Sequence, residues 1–218
     1  MHKGLHKVLE IRHLAKSTFS IRIERNDLKF IAGQCVNIGL PNTGVNREYS
    51  SYSGENEADL RFLIREVEDG QVSPKLKTLK PGDFVEVDGS YGLFTLVSPH
   101  DLTRNYVFIA TGTGIAPFHC FVKSYPKIKY KIIHGTARVE EGYDKNDYVS
   151  GSYVQCVSQE KGVNGEFSGR VTSYLQQNPQ SKDSIYYLCG NRNMINDVYD
   201  ILREQDVSGS NIITEVFF

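Results

Sequence analysis

The feature that most constrains the fold is a change in apolar spacing near residue 100. Before it, short segments alternate apolar and polar side chains between Gly, Pro and Asn residues, at 5–14, 19–24, 35–40, 60–66 and 83–87. After it, apolar runs are continuous, at 106–110, 130–134, 153–157 and 185–189. Alternation is typical of strands with one wet face, and continuous runs are typical of strands buried on both faces. The sequence therefore predicts an antiparallel β-barrel domain over 1–100, followed by an α/β domain with a parallel sheet over 101–218.

Helices are predicted at three places in this framework. A short one spans 73–79, where Ser73 is expected to cap the helix and Pro74 suits its first turn. A second spans 115–125, and a third carries Ile195, Val198, Tyr199 and Leu202 on one stripe. Residues 212–218 are predicted to form a strand and a tail.

Charge and cysteine content exclude several classes of protein. The 218 residues carry 25 Lys+Arg against 26 Asp+Glu, a net charge of −1, so the basic footprint of a nucleic-acid binder is missing. No apolar run approaches the roughly 20 residues of a membrane span, and the N-terminal segment does not resemble a signal peptide, so we expect a cytoplasmic protein. The four cysteines are scattered, so we expect neither a metal site nor an iron–sulfur cluster.

Two candidate binding segments lie in the first half of the chain. In the first, Arg47, Tyr49 and Ser50 combine a guanidinium that can pair with a phosphate, a flat aromatic face and a hydroxyl. The second, residues 69–74, is a turn that opens the predicted short helix, and free N–H groups there suit a diphosphate. Taken alone, the first segment also fits an ordinary exposed strand, and the second also fits a simple capped turn.

Two further candidates follow apolar strands in the second half. Residues 111–117, Thr-Gly-Thr-Gly-Ile-Ala-Pro, join a strand to a helix, an arrangement in which glycines admit a pyrophosphate to the helix start. Pro117 replaces the last glycine or alanine of the six-residue dinucleotide fingerprint. Cys189, Gly190 and Asn191 end another strand, where open parallel sheets bind their ligands. Taken alone, Cys189 is also explained as an unreactive cysteine packed in the core, and Glu215 as an ordinary surface carboxylate.

In this order the motifs resemble the ferredoxin–NADP reductase family. The series runs from the Arg47 motif through 70–73, Gly82-Asp83, 89–94 and 112–117 to 189–191 and a terminal Glu-Xaa-Phe, and so covers nearly the whole chain. The resemblance implies a FAD-binding barrel followed by a nicotinamide-nucleotide domain. It agrees with the change of pattern near residue 100.

The resemblance also implies roles for individual residues. Tyr49 would stack on the isoalloxazine ring, and Ser50 would bond near flavin N5, at the place that Cys189 and Glu215 also border. Ser50, Cys189 and Glu215 are therefore the implied catalytic residues. The implied cofactor-binding residues are Arg47, Gly70, Val72 and Ser73 for the flavin diphosphate, Thr111, Gly112, Thr113, Gly114, Pro117, Gly190 and Asn191 for the nicotinamide nucleotide, and Ser158, Phe217 and Phe218 nearby.

The resemblance implies hydride transfer between NADPH or NADH and FAD, and single-electron exchange with a separate ferredoxin or flavodoxin. The alternatives are the reductase component of an oxygenase and a flavin-binding module without catalysis. Where NADPH-preferring relatives carry Ser-Arg-Glu, this chain has Ser158, Gln159 and Glu160. The candidates to replace the missing arginine are Ser158, Lys161, Arg138 and Arg170, so the choice of coenzyme stays open. Phe217 and Phe218 either cover the flavin or pack on the barrel. No oligomeric state is indicated.

Overall fold

The chain forms two compact units in the computed structural model, which describes residues 2–160 and 166–217. The first unit combines the chain up to Val97 with Ala116–Ser124, and the second combines Ser98–Ile115 with the chain from Tyr125 onward. The sequence assigned the whole of 101–218 to one domain, whereas here the segment Ala116–Ser124 clusters with the first unit.

The first unit is an antiparallel sheet of six strands. Its order is β4-β3-β6-β1-β2-β5. The elements along the chain are β1 (His2–Ala15), β2 (Thr18–Glu24), β3 (Cys35–Gly39), β4 (Asn46–Ser50), β5 (Asp59–Arg65), α1 (Ser73–Lys77) and β6 (Phe84–Tyr91). The predicted antiparallel barrel is confirmed.

Strands β4 and β5 are the two edges of this sheet, and they meet at one end only. The N–H groups of Tyr52 and Ser53, just after β4, both donate to the carbonyl of Arg61 in β5, at 2.7 and 3.3 Å. Among the described residues no strand ladder joins β4 to β5 beyond these two bonds. We call this open edge the β4–β5 seam.

The interior of the first unit comes from every second residue of its strands. Phe19, Ile21 and Ile23 of β2 are fully buried, and Val85 and Val87 of β6 face them from across the core. Because side chains alternate between the two faces of a strand, this spacing fills one face with apolar side chains. The other face of β2 is polar, with Thr18 and Ser20 buried and Arg22 and Glu24 half-buried.

Helix α1 is shorter than predicted, and Ser73 does not cap it. The residue at the N-cap is Val72, which makes no side-chain capping bond. Ser73 is the first helical residue, and its Oγ accepts a hydrogen bond from the N–H of Val67 at 2.9 Å. The expectation of a serine cap was therefore wrong, because Ser73 turns back to the preceding loop.

The segment Ala116–Ser124 forms helix α2, whose side chains belong to the first unit. The ring of His119 stacks on Tyr52 with centroids 3.9 Å apart, and its Nδ1 donates to the carbonyl of Tyr52 at 2.6 Å. Ser124 accepts from the N–H of Glu55 at 2.9 Å. From Ala116 to Val122 the helix is buried on every side, as is typical of a core helix.

The second unit is a parallel sheet with helices. Its order is β10-β9-β8-β7-β11-β12, and every pair in it is parallel, which confirms the predicted α/β class. The elements are β7 (Asn105–Thr111), β8 (Lys129–Thr136), β9 (Tyr153–Val157), β10 (Phe167–Ser168), α3 (Val171–Gln177), β11 (Ile185–Gly190), α4 (Arg192–Glu204) and β12 (Ile212–Val216). Strand β10 and helix α3 were not predicted.

Helix α4 shows the expected apolar stripe with one exception. Ile195, Val198 and Leu202 are buried, but Tyr199 is 38% exposed and does not belong to the core. No helix among residues 2–160 and 166–217 is long and apolar enough to cross a membrane.

Two glycines of the first unit allow a matched test of its packing. Gly33 has φ +94°, and a Cβ there would meet the carbonyl of Phe94 and lie 2.7 Å from the Phe121 ring, whereas Gly44 has φ +67° and open space. We expect Gly33→Ala to lower the free energy of unfolding by about 3 kcal/mol, and Gly44→Ala by only about 1 kcal/mol. Urea unfolding measures both, and equal losses would contradict the close approach at Gly33.

Candidate functional site

The first candidate group lies on the edge strand β4. Arg47 is exposed, and its Nη1 donates to the carbonyl of Asn46 at 2.7 Å. Tyr49 is half-buried, and this burial raises the pKa of its phenol to about 12 although Arg47 acts in the opposite direction. Ser50 is buried at the end of the strand. The edge therefore offers a cation, an uncharged aromatic ring and a hydroxyl in succession.

A turn that follows β5 offers backbone donors. Gly70 donates to the carbonyl of Val67 at 2.7 Å, and a Cβ on Gly70 would lie 2.9 Å from that same oxygen, so the turn requires glycine. Within the described part of the chain, the N–H groups of Gln71, Val72 and Ser73 donate to no protein acceptor. Successive unpaired N–H groups suit an anionic ligand.

These two groups border the seam from its two sides. Arg47 and Tyr49 lie on β4, one edge strand of the sheet. The turn at 70–73 comes after the end of β5, the other edge strand, at Arg65. The cation and the aromatic ring therefore belong to one edge strand, and the backbone donors follow the other.

A second group gathers at the carboxyl ends of β7 and β11. Thr111 Oγ1 accepts from the N–H of Asn191 at 3.0 Å. The Asn191 side chain caps α4 by accepting from the N–H of Asn193 at 2.9 Å, and Phe217 donates to the carbonyl of Gly190 at 2.9 Å. The structure therefore brings together the four predicted residues Thr111, Gly190, Asn191 and Phe217.

The glycine turn between β7 and α2 uses its two glycines differently. Residues Gly112–Ile115 form a 3-10 helix. Gly112 has φ +54° and open space around it, so glycine serves the backbone conformation there. A Cβ on Gly114 would lie 2.5 Å from the carbonyl oxygen of Cys189 and 2.8 Å from Gly190 Cα. Gly114 is thus needed for close packing on β11, while Thr113 between them is half-exposed.

Pro117 belongs to the first turn of α2, where the N–H that proline lacks has no partner within the helix. Proline therefore costs the helix little at this position. Because the turn ahead of it is a 3-10 helix, α2 begins at Ala116, one residue later than predicted.

Cys189 and Glu215 are register neighbours on β11 and β12. Cys189 is fully buried, which raises the pKa of its thiol well above the ordinary value, and Glu215 raises it further. The thiol therefore stays protonated and serves as a small neutral neighbour, since only a thiolate is a strong nucleophile. Ser50 belongs to the first unit, so its grouping with these two residues stays a prediction.

The predicted coenzyme-selecting segment follows β9. Ser158 is exposed, and its hydroxyl donates to the carbonyl of Thr136 at 3.1 Å. One carboxylate oxygen of Glu160 accepts from the N–H of Val139 at 3.1 Å, and the other lies 3.9 Å from the guanidinium of Arg138. Lys161 and Phe218, which the sequence associated with coenzyme and flavin contacts, lie outside the described residues.

One residue at this edge was missed by the sequence reasoning. His134, near the carboxyl end of β8, is fully buried, and its Nε2 lies 2.8 Å from the carbonyl oxygen of Gly112. The signal was present in the sequence, because a single imidazole follows the apolar pair Ile132 and Ile133 just before Gly135.

The comparisons with known proteins agree with this geometry. Residues 6–96 match the family model described as the oxidoreductase FAD-binding domain. The chain is 28% identical over 214 residues to the flavodoxin/ferredoxin–NADP reductase of Shigella flexneri, covering 88% of this chain and 86% of that protein. It is 29% identical over 228 residues to the toluate 1,2-dioxygenase electron transfer component of Pseudomonas putida. That match covers 96% of this chain but only 66% of the longer relative.

Solved structures share the fold. A ferredoxin NADP+ reductase from Neisseria gonorrhoeae with bound FAD and NADP superposes with a TM-score of 0.85 at 22% identity, covering 100% of both chains. A cytochrome P450 reductase from Amycolatopsis superposes with a TM-score of 0.87 at 24% identity, covering 99% of this chain and 70% of the other. At such identities the likeness concerns the fold alone.

The family match on the barrel and the two-unit architecture define a FAD-binding oxidoreductase. More narrowly, the chain is similar over most of its length to flavodoxin/ferredoxin–NADP reductases, as the order of its motifs had indicated.

The close approach at Gly114 can be tested directly. We expect Gly114→Val to displace the glycine turn from β11 and to weaken the binding of NADP+ and NAD+ by at least about tenfold, with the FAD content unchanged. Calorimetric titration and the absorbance of bound flavin measure the two quantities. Gly151→Ala is the control, because a Cβ there meets open space and the substitution adds only the strain of a positive φ (+80°), which Gly114 does not have. Native nucleotide affinity in Gly114→Val would contradict the prediction.

Proposed function

We propose that this chain is a reductase that takes a hydride from NADPH or NADH onto FAD and passes electrons singly to a separate ferredoxin or flavodoxin. The observation that carries the proposal is that the protein has two candidate binding edges, each with the chemical groups that one of the two ligands requires. The β4–β5 seam suits a flavin with its diphosphate, and the carboxyl ends of β7 and β11 suit a nicotinamide nucleotide.

The residues of the seam fit FAD. A flavin diphosphate requires positive charge and N–H donors, and the seam supplies Arg47 and the unpaired N–H groups of Gln71, Val72 and Ser73. Ser73 uses its oxygen to accept from Val67, which leaves the hydroxyl proton for a ligand. Gly70 shapes this turn, because its own N–H is bonded to Val67.

Tyr49 and Ser50 would hold the ring system. The phenol of Tyr49 stays neutral at physiological pH, so its flat face can stack on an aromatic ring without introducing a charge. Ser50 offers a buried hydroxyl one residue further along β4. When bound, FAD supplies the chemistry that the side chains lack, since it accepts a hydride and releases electrons one at a time.

The second unit would hold the nicotinamide nucleotide as substrate. Its glycine turn presents backbone next to Thr111 and Asn191, and the absence of a side chain at Gly112, which has open space around it, admits a pyrophosphate closely. Gly114 lets the same turn pack on the end of β11. Asn191 anchors the start of α4 beside this place. Cys189 and Glu215 would border the nicotinamide, where the neutral thiol adds no competing nucleophile.

Coenzyme choice would be set around Glu160. A 2′-phosphate needs positive charge, and the exposed guanidinium of Arg138 lies beside the Glu160 carboxylate, which partly neutralises it. The hydroxyl of Ser158 already donates to Thr136. Arg138, in competition with Glu160, is therefore one candidate phosphate ligand, and the exposed Arg170 is another, so NADPH and NADH both belong in the test.

A reductase component of an oxygenase is the second candidate. It is favoured by the match of nearly the whole chain to the toluate dioxygenase component, which would use the same two binding edges with another acceptor. The third candidate is a flavin-binding module without catalysis, and the same experiment would detect it.

The test is an anaerobic titration of the purified protein with NADPH and with NADH, followed by flavin absorbance. We expect bleaching by at least one coenzyme, and then cytochrome c reduction that depends on added ferredoxin or flavodoxin. Bleaching without transfer to either carrier would favour the oxygenase alternative. No bleaching with either coenzyme would overturn both enzyme candidates.

Flavin retention tests the role of Tyr49. We expect Tyr49→Ala to weaken FAD binding by at least about tenfold, because the stacking face is lost, whereas Tyr49→Phe keeps that face and retains the cofactor. The ratio of flavin to protein absorbance after gel filtration measures retention. A Tyr49→Ala protein that keeps its full FAD content would exclude the stacking role.

A further inference from the structure

His134 makes two hydrogen bonds from a fully buried position. Its Nε2 lies 2.8 Å from the carbonyl oxygen of Gly112, and its Nδ1 lies 2.9 Å from the hydroxyl of Tyr153. Burial lowers the pKa of the imidazole to about 4, so the ring is neutral at physiological pH and carries one proton. A carbonyl oxygen only accepts, so Nε2 donates to Gly112 and the Tyr153 hydroxyl donates to Nδ1.

The hydrogen bond from His134 to Gly112 fixes the orientation of the whole Gly112–Thr113 peptide group. The carbonyl of Gly112 and the N–H of Thr113 belong to the same planar peptide and point in opposite directions. When His134 holds the carbonyl toward β8, the N–H of Thr113 is turned away from β8. Gly112, at φ +54°, begins a short 3-10 helix and has no side chain to restrict this peptide, so the bond from His134 adds a contact from outside the turn that fixes its orientation.

We propose that His134 is a positioning residue for nucleotide binding, which orients the Gly112–Thr113 peptide so that the Thr113 N–H faces the pyrophosphate of the nicotinamide nucleotide. This inference rests on the proposed function of the glycine turn. His134 does not touch the ligand in this role, since it acts through the backbone of Gly112.

Tyr153 locks the imidazole in the required tautomer. Its ring stacks on Tyr148, with centroids 5.0 Å apart and planes 8° from parallel, which fixes the position of its hydroxyl. The ring of Tyr143 lies beside the imidazole of His134, with the two ring centroids 6.2 Å apart. As long as Tyr153 donates to Nδ1, the proton stays on Nε2, where Gly112 needs it. Without the Tyr153 hydroxyl the proton can occupy either nitrogen, and the bond to Gly112 is made only part of the time.

The test compares substitutions of His134 by calorimetric titration with NADP+ and NAD+ and by stopped-flow flavin reduction. We expect His134→Leu to raise the Kd of the preferred nucleotide about tenfold, while the limiting reduction rate and the FAD content stay unchanged. His134→Gln carries an amide N–H where Nε2 stood and should restore most of the affinity. Tyr153→Phe should raise the Kd about threefold through the tautomer alone.

The control is Tyr186→Phe, which removes another buried hydrogen bond in the same sheet. Tyr186 donates to the carbonyl of Ser181 at 2.8 Å, before β11 begins and thus away from the glycine turn, so its loss should leave the Kd unchanged. A folded His134→Leu with native Kd would overturn the positioning role. Equal weakening in His134→Leu, His134→Gln and Tyr186→Phe would also overturn it, because general loosening would then explain the effect. A wild-type protein that binds neither nucleotide would overturn the proposed function itself.

Discussion

The contact on which the second unit depends is the approach of Gly114 to the backbone of Cys189 and Gly190. A side chain at Gly114 would lie within 2.5 Å of a carbonyl oxygen, so the turn after β7 can rest on the end of β11 only when that residue is glycine. At the same strand ends, the parallel pairing of β7 with β11 brings Thr111 within hydrogen-bonding distance of Asn191, at the start of α4. The candidate nucleotide site is thus a product of backbone packing, and its side chains come from separate strands.

The candidate site of the first unit depends instead on an open edge, where the backbones of β4 and β5 do not pair along their length. Two hydrogen bonds from Tyr52 and Ser53 to Arg61 fix the β4–β5 seam at one end, and the remainder stays open. Residues of β4 keep polar groups that a closed barrel would have paired with a neighbouring strand. A cofactor with a flat ring and a charged diphosphate suits such an edge better than a pocket in the barrel interior, which Phe19, Ile21 and their neighbours fill.

The sequence predicted most of the fold because apolar spacing reports burial directly. The alternating segments became β1, β2, β3, β5 and β6, and the continuous runs became β7, β8, β9 and β11. Spacing could not show that α2 packs with the first unit, since a helix that is apolar all round carries no sign of its partner. The role expected of Ser73 failed because its hydroxyl had a competing partner in Val67. His134 was missed because its bond joins residues 22 positions apart, and only the parallel pairing of β7 with β8 brings them together.

The open seam links flavin binding to how long the protein stays folded and unaggregated. A strand edge without a partner is the usual starting point for association between chains, and β4 ends in the buried Ser50 after an exposed, polar stretch. A cofactor bound along this edge would cover it, and its binding would shift the folding equilibrium toward the native state. Flavin supply during synthesis would then govern how much of this chain accumulates in usable form, independently of how fast it turns over.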